Sequence, residues 1–306
     1  MNEFKYIADI SEECLNSAVV IPCRNEQGYP TILIKNDSKK RNSGFYSTDN
    51  LSIKTDKVLM KGDAEYFFHV IESKKNDGFS IQQFQIIYEY IFAKIVSPIS
   101  AALLYTLVAS LEDYFRQTPD PNRKQLQIGV FGELLSLKFL HDAGYSDILE
   151  KYHDDFFLKH DIEISPSLRV EVKTAVGEKR IHHFKHDQIH REDVDVYVVS
   201  VLLEPSQEGL SLFDLFSEVI GLTEDPDKSF ALRKLMSKCG VSPEDKGLTF
   251  SENLAYSRIK IFHANSLPQL EGVVPSGVSA VEYDVDCSLT ENVNVNEAVK
   301  AWTSVN

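Results

Sequence analysis

The sequence predicts an α/β (α+β) fold: a mixed sheet flanked by helices, preceded by a mainly β region and followed by further helices and strands. Three observations lead there. Up to about residue 75, short apolar runs alternate with polar turns. From residue 123 to 203 the hydrophobic periods run helix, hairpin, strand, helix, strand. The composition, 306 residues with 43% apolar and 25% charged, is that of a globular chain long enough for two domains or one large one.

In the first region, Ser17–Ile21, Thr31–Ile34 and Tyr66–Ile71 read as strands, and the polar Asn36–Asn50 stretch as a loop. From Ile81 to about Arg116 the chain is apolar at helical spacing, broken at Pro98, which has no N–H to give and crowds the preceding turn. Gln117-Thr-Pro-Asp-Pro-Asn122 has linker composition. It separates an N-terminal region, 1–118, from a core, 119–205, on which the C-terminal region, 206–306, is expected to pack. In that last region Pro205–Gly209 reads as a loop, 211–221 and 226–238 as helices, and Ala255–Phe262 and Ser279–Val285 as strands. Asn292–Asn306 reads as a short helix or a frayed tail.

The core opens with a helix, Gln127–Leu140, whose Val130, Phe131, Leu134, Leu135, Leu137 and Leu140 make a broad apolar surface. Glu133 lies inside this run, where a carboxylate is costly unless it is paired or binds a metal. Gly129 and Gly132 weaken the helix by about 1 kcal/mol each relative to Ala. They are tolerated where another backbone or a nucleic acid passes close.

A hairpin follows. Ile162, Ile164, Leu168, Val170 and Val172 recur at period two around the turn Ser165-Pro-Ser167. Folding back there puts Asp161 beside Glu171–Val172, with cross-strand neighbours about 5 Å apart. Glu171 and Lys173 share one strand face, and Val172 points into the core. Two carboxylates, with a backbone carbonyl near Val172, suit Mg²⁺, with Mn²⁺ as a substitute; both keep water ligands. Lys173 would position or help deprotonate such a water and offset transition-state charge, which points to phosphodiester hydrolysis. A lone Glu-x-Lys strand is commonplace; the aspartate before a tight turn and the upstream Glu133 give this one its interest. Asp155 competes for the aspartate role, sixteen residues before Glu171 against ten for Asp161; the short turn favours Asp161.

Together, Gly129-Val-Phe-Gly-Glu-Leu-Leu135, His160-Asp161, Val170-Glu-Val-Lys-Thr174 and Gln188-Ile189 resemble the PD-(D/E)XK nuclease superfamily. Within it, the chain is similar to a family of PD-(D/E)XK motif proteins found among bacterial restriction and phage-defence genes. The resemblance runs on through Val196–Leu203, Ser211–Phe216 and Pro275–Tyr283, covering roughly residues 120–290; the first hundred match only in general character. It implies a restriction-endonuclease-like core, metal ligation by Asp161 and Glu171, and Lys173 as the catalytic lysine. It also implies that Glu133 is a helix carboxylate near the metal and Gln188 an active-site glutamine on the next helix. DNA as substrate, and other restriction or defence proteins as partners, follow from the resemblance alone. His160 replaces the proline of the motif's name.

The net charge of −14 argues against a general nucleic-acid binder. From Glu171 to Arg191, however, five bases face three acids, with four histidines besides. That modest patch fits a nuclease whose DNA affinity comes partly from a partner or from formation of a homodimer. His182, His186 and His190 have i, i+4 spacing, which suits a helical metal site, though no His-Glu-x-x-His motif accompanies it. No Gly-x-x-x-x-Gly-Lys-Ser/Thr loop is present, so ATP hydrolysis is not expected. No apolar run approaches the ~20 residues of a membrane span. Cys14, Cys23, Cys239 and Cys287 are scattered and read as reduced thiols of a cytoplasmic protein. The competing reading is a catalytically silent scaffold subunit of a defence complex, motivated by the acidic charge and large flanking regions.

Overall fold

The computed structural model describes residues 5–37, 43–48, 50–115, 122–153, 160–191, 193–270, 275, 277–278 and 280–304. The chain divides into two compact units, Met1–Gln117 and Thr118–Asn306. The regions 119–205 and 206–306 thus fall within one unit.

The first unit begins with α1 (Glu12–Ser17), capped by the Ser11 hydroxyl, which accepts the Cys14 N–H at 3.2 Å. Five strands follow: β1 (Val20–Arg24), β2 (Pro30–Lys35), β3 (Phe45–Ser47), β4 (Leu51–Lys61) and β5 (Ala64–Ser73). They form one antiparallel sheet in the order β1-β2-β5-β4-β3. The expected loop at 36–50 therefore contains a short edge strand, β3. β4 escapes a sequence reading because its alternation is interrupted: at Asp56 (φ 54°) the register against β5 shifts, and the bulge reverses which side chains point inward. Gly62 and Asp63 close the β4–β5 hairpin, with Gly62 at φ 58°, which glycine adopts without strain. Two helices complete the unit, α2 (Gly78–Lys94) and α3 (Ala101–Phe115), with Pro98 in the break between them as expected.

The second unit opens with α4 (Arg123–Asp142) and a short α5 (Ile148–Lys151). The hairpin β6 (Ile162–Ser165) and β7 (Leu168–Val176) comes next, then β8 (Ile181–Lys185), a single turn α6 (His186–Ile189) and β9 (Asp195–Leu203). Beyond lie β10 (Pro205–Ser211), α7 (Leu212–Ile220), α8 (Pro226–Lys238), β11 (Thr249–Phe250), α9 (Glu252–Arg258), β12 (Lys260–His263), β13 (Glu282–Asp286) and α10 (Val295–Thr303). The central sheet is mixed, in the order β12-β9-β7-β6; β7 and β9 run parallel and the other pairs antiparallel. This is a mixed α/β architecture consistent with a restriction-endonuclease-like fold.

From Val198 to Leu203 every residue of β9 is buried, as in a strand covered on both faces. One face of the sheet, through Val170, Val172, Val199 and Val201, packs on Phe131, Leu134 and Leu135 of α4, in one core with α7, which packs on α4. The other face, with Val196, Val198 and Phe262 of β12, packs with Phe184 and Ile189.

Three local expectations are corrected. Pro205–Gly209 belongs to a strand, β10, which pairs with β11 through a register shift. Residues 255–258 end a helix rather than begin a strand; only Lys260–His263 is extended. His182 lies on β8 and His186 opens α6, so His182, His186 and His190 do not share a helix face.

Candidate active site

The site forms where β6 begins. Strand pairing stops at Ile162↔Val170, so the next inward N–H of β7 lacks a strand partner. Asp161 supplies one: its Oδ2 accepts the Val172 N–H at 2.7 Å. The hairpin thus brings Asp161 to Glu171–Val172, as its turn chemistry predicted.

Glu171 is 3% exposed, paired in register with Val198 on the second face of the sheet. Its Oε1 lies 2.8 Å from Lys173 Nζ and accepts a 2.9 Å hydrogen bond from Gln188 Nε2. Gln188 Oε1 accepts from Lys173 Nζ at 3.3 Å and from the Lys185 N–H at 3.1 Å. Lys173, Glu171 and Gln188 therefore form one network. The Lys173 ammonium also lies 5.3 Å from the centre of the Phe184 ring, a cation–π contact.

Glu133 comes from α4, which approaches β7 closely. A Cβ at Gly132 would lie 1.8 Å from Thr174 Oγ1, so only glycine fits there. A Cβ at Gly129 would meet open space, so that glycine serves no close approach among the described residues. Glu133 Oε2 accepts a 2.7 Å hydrogen bond from the Tyr152 hydroxyl. Asp155, the rival aspartate, lies outside the described residues.

The electrostatics follow from this crowding. Burial, then the Asp161 charge, pushes Glu133 up to about 8. Burial and the Asp161 charge also push Glu171 up to about 8, against the pull of Lys173. Asp161 is raised by burial as well, opposed by the Val172 N–H and Lys173. Three carboxylates thus sense a single ammonium. Glu171 Oε2 is buried with no hydrogen-bond partner among the described residues. Excess negative charge and an unpartnered carboxylate oxygen fit a divalent cation. Among the described residues no group of three or more His, Cys, Asp or Glu side chains is arranged to hold a metal. A cation here would draw on Asp161 and Glu171, with backbone, water or phosphate oxygens completing its shell, as hard divalent ions accept.

A family model, DUF4420, described as a putative PD-(D/E)XK family member, matches residues 18–288. The chain belongs to this family. The match takes in strands of the first unit as well as the second, and so reaches further toward the N-terminus than the motif resemblance from about residue 120. Comparison with curated proteins gives no match, and comparison with solved structures gives none.

Other residues around this candidate site carry no signal in the sequence. Tyr152 carries no local signal, because its role depends on a bridge to Ile162 and a side chain that reaches α4. Behind Lys173, its register partner Ser200 accepts from Arg180 Nη1 at 2.6 Å and bonds His182 Nε2 at 2.6 Å. Burial, with the nearby Arg180 and Lys173 charges, pushes His182 down to about 4, so its ring is neutral. Arg180 is 5% exposed and also donates to the Ser200 and Arg258 carbonyls.

The basic stretch is largely consumed. Lys173 and Arg180 are engaged inside, Arg191 pairs with Asp193 at 2.6 Å, and His183 pairs with Glu282 and Asp284 across β8–β13. Lys179 and Lys185 remain exposed. No helix among the described residues is long and apolar enough to cross a membrane.

Proposed function

We propose that this DUF4420 member is a Mg²⁺-dependent DNA endonuclease of a bacterial restriction or phage-defence system. The observation that carries the reading is Glu171: Oε1 is held by Lys173 and Gln188 while Oε2 is buried with no hydrogen-bond partner among the described residues. A bound divalent ion would polarise the phosphate and lower the pKa of a water. Asp161 and Glu171 would hold that ion. Lys173, fixed against Glu171 and the Phe184 ring, orients the attacking water and offsets charge on the phosphoryl oxygens. Gln188 holds the Glu171 carboxylate through Oε1, and Glu133, held by Tyr152, stands as the helix carboxyl beside Asp161.

DNA as the substrate rests on the family. The net charge of −14 and the internally paired bases support a second copy or a defence partner supplying part of the phosphate contact.

Plasmid cleavage in Mg²⁺, with Mn²⁺ calorimetry on the same samples, tests the reading. Lys173→Ala is expected to retain metal and to lose roughly 10²–10³-fold in cleavage. Asp161→Asn is expected to lose both. Full cleavage by either pure variant sinks the assignment. A wild type that binds no Mn²⁺, even with DNA present, leaves the scaffold subunit as the better reading.

A further inference from the structure

We infer that His160 is a positioning residue that sets Gln188 against Glu171; the inference rests on the nuclease reading above. His160 stands where the motif carries proline, and it is 8% exposed. Its Nε2 lies 2.9 Å from the Gln188 carbonyl oxygen. A carbonyl only accepts, so this ring nitrogen carries the proton.

The contact matters because of what α6 is. His186–Ile189 is one turn of four residues. A single turn fixes several dihedrals for very few internal bonds and does not hold itself. The last carbonyls of a helix have no internal partner, and His160 supplies one for Gln188. The Gln188 side chain then has its direction set by the Lys185 N–H and reaches Glu171 Oε1 at 2.9 Å.

A closed ring results. Asp161 binds the Val172 N–H, Glu171 precedes Val172, Gln188 binds Glu171, and His160 binds Gln188 and precedes Asp161. The two proposed metal ligands are thereby tied through one backbone-to-imidazole bond. A proline before Asp161 offers no side-chain donor, so the departure from the motif has a defined role in this chain.

The test uses the full chain with His160→Phe, which removes the donor, and His160→Gln, whose amide can supply one. Two quantities are read: hydrogen exchange of the His190 amide, which donates to His186 O at 2.9 Å, in metal-free protein, and Mn²⁺ affinity by calorimetry. His160→Phe is expected to speed that exchange and to weaken Mn²⁺ binding about tenfold, as outer-shell changes do. His160→Gln is expected to recover most of both. Should His160→Phe fail to fold, His160→Asn, whose amide is too short to reach the carbonyl, takes its place. Wild-type exchange and affinity in the donor-less variant, or no recovery with Gln, overturn the inference while leaving the nuclease reading intact. A wild type that binds no Mn²⁺, even with DNA present, overturns both.

Discussion

Val172 gives its backbone N–H to the carboxylate of Asp161, 2.7 Å away, at the point where β6 stops pairing with β7. The aspartate thus finishes a sheet ladder and also faces Glu171 and Glu133, whose charges it opposes. Asparagine keeps an acceptor for Val172 but removes that charge. Asp161→Asn is therefore expected to stabilise the metal-free protein, on the order of 1 kcal/mol, as relief of a strained functional site commonly does. Urea midpoints at neutral pH read it directly; a lower midpoint in the variant contradicts the account.

Glu133 and Glu171 predict how stability depends on pH. Both rise from 4.5 to about 8 on folding, so the native state holds protons that the unfolded chain has released. Their contribution is full below about 4.5 and is lost as pH rises toward about 8. His182, lowered from 6.5 to about 4, acts oppositely: its contribution is lost as pH falls below 6.5. Between pH 6.5 and 8 the two glutamates therefore dominate this set, and the metal-free protein is expected to lose stability with rising pH. Glu171→Gln should flatten that slope. Thermal midpoints across the window decide; an equal slope in the variant refutes the linkage.

The two glycines of α4 predict changes of opposite sign. Gly132→Ala drives a methyl into Thr174 and is expected to cost about 1–3 kcal/mol, as overpacked cores do. Thr174→Ala in the same chain should recover part of the loss. Gly129→Ala enters open space within a helix and is expected to gain up to about 1 kcal/mol. Denaturant midpoints of the three variants suffice, and a neutral Gly132→Ala would show that α4 can move away from β7.

Ser200 satisfies two buried groups at once, Arg180 and His182. Ser200→Ala is expected to destabilise by about 1–3 kcal/mol, because buried donors and acceptors are left without partners. An unchanged urea midpoint would mean that the pair finds water instead.

Much of the site can be read in the sequence because its geometry is local. The period-two runs around Ser165–Ser167 determine the hairpin, and the hairpin brings Asp161 to Glu171 and Val172. The helical period of 127–140 determines that α4 is buried, and a carboxylate inside that face marks Glu133. What pairs across long separations could not be read. Tyr152 meets Glu133 only because their elements pack together, and His160 meets Gln188 from 28 residues away. The basic stretch looked available until β13, about a hundred residues on, laid Glu282 and Asp284 against His183. Sequence by itself determined which candidate residues share a face, since strand and helix periods are set by the backbone. Tertiary structure alone decided which charges are paired and which carboxylate oxygen is left bare, because burial and partnership depend on what the rest of the chain brings alongside.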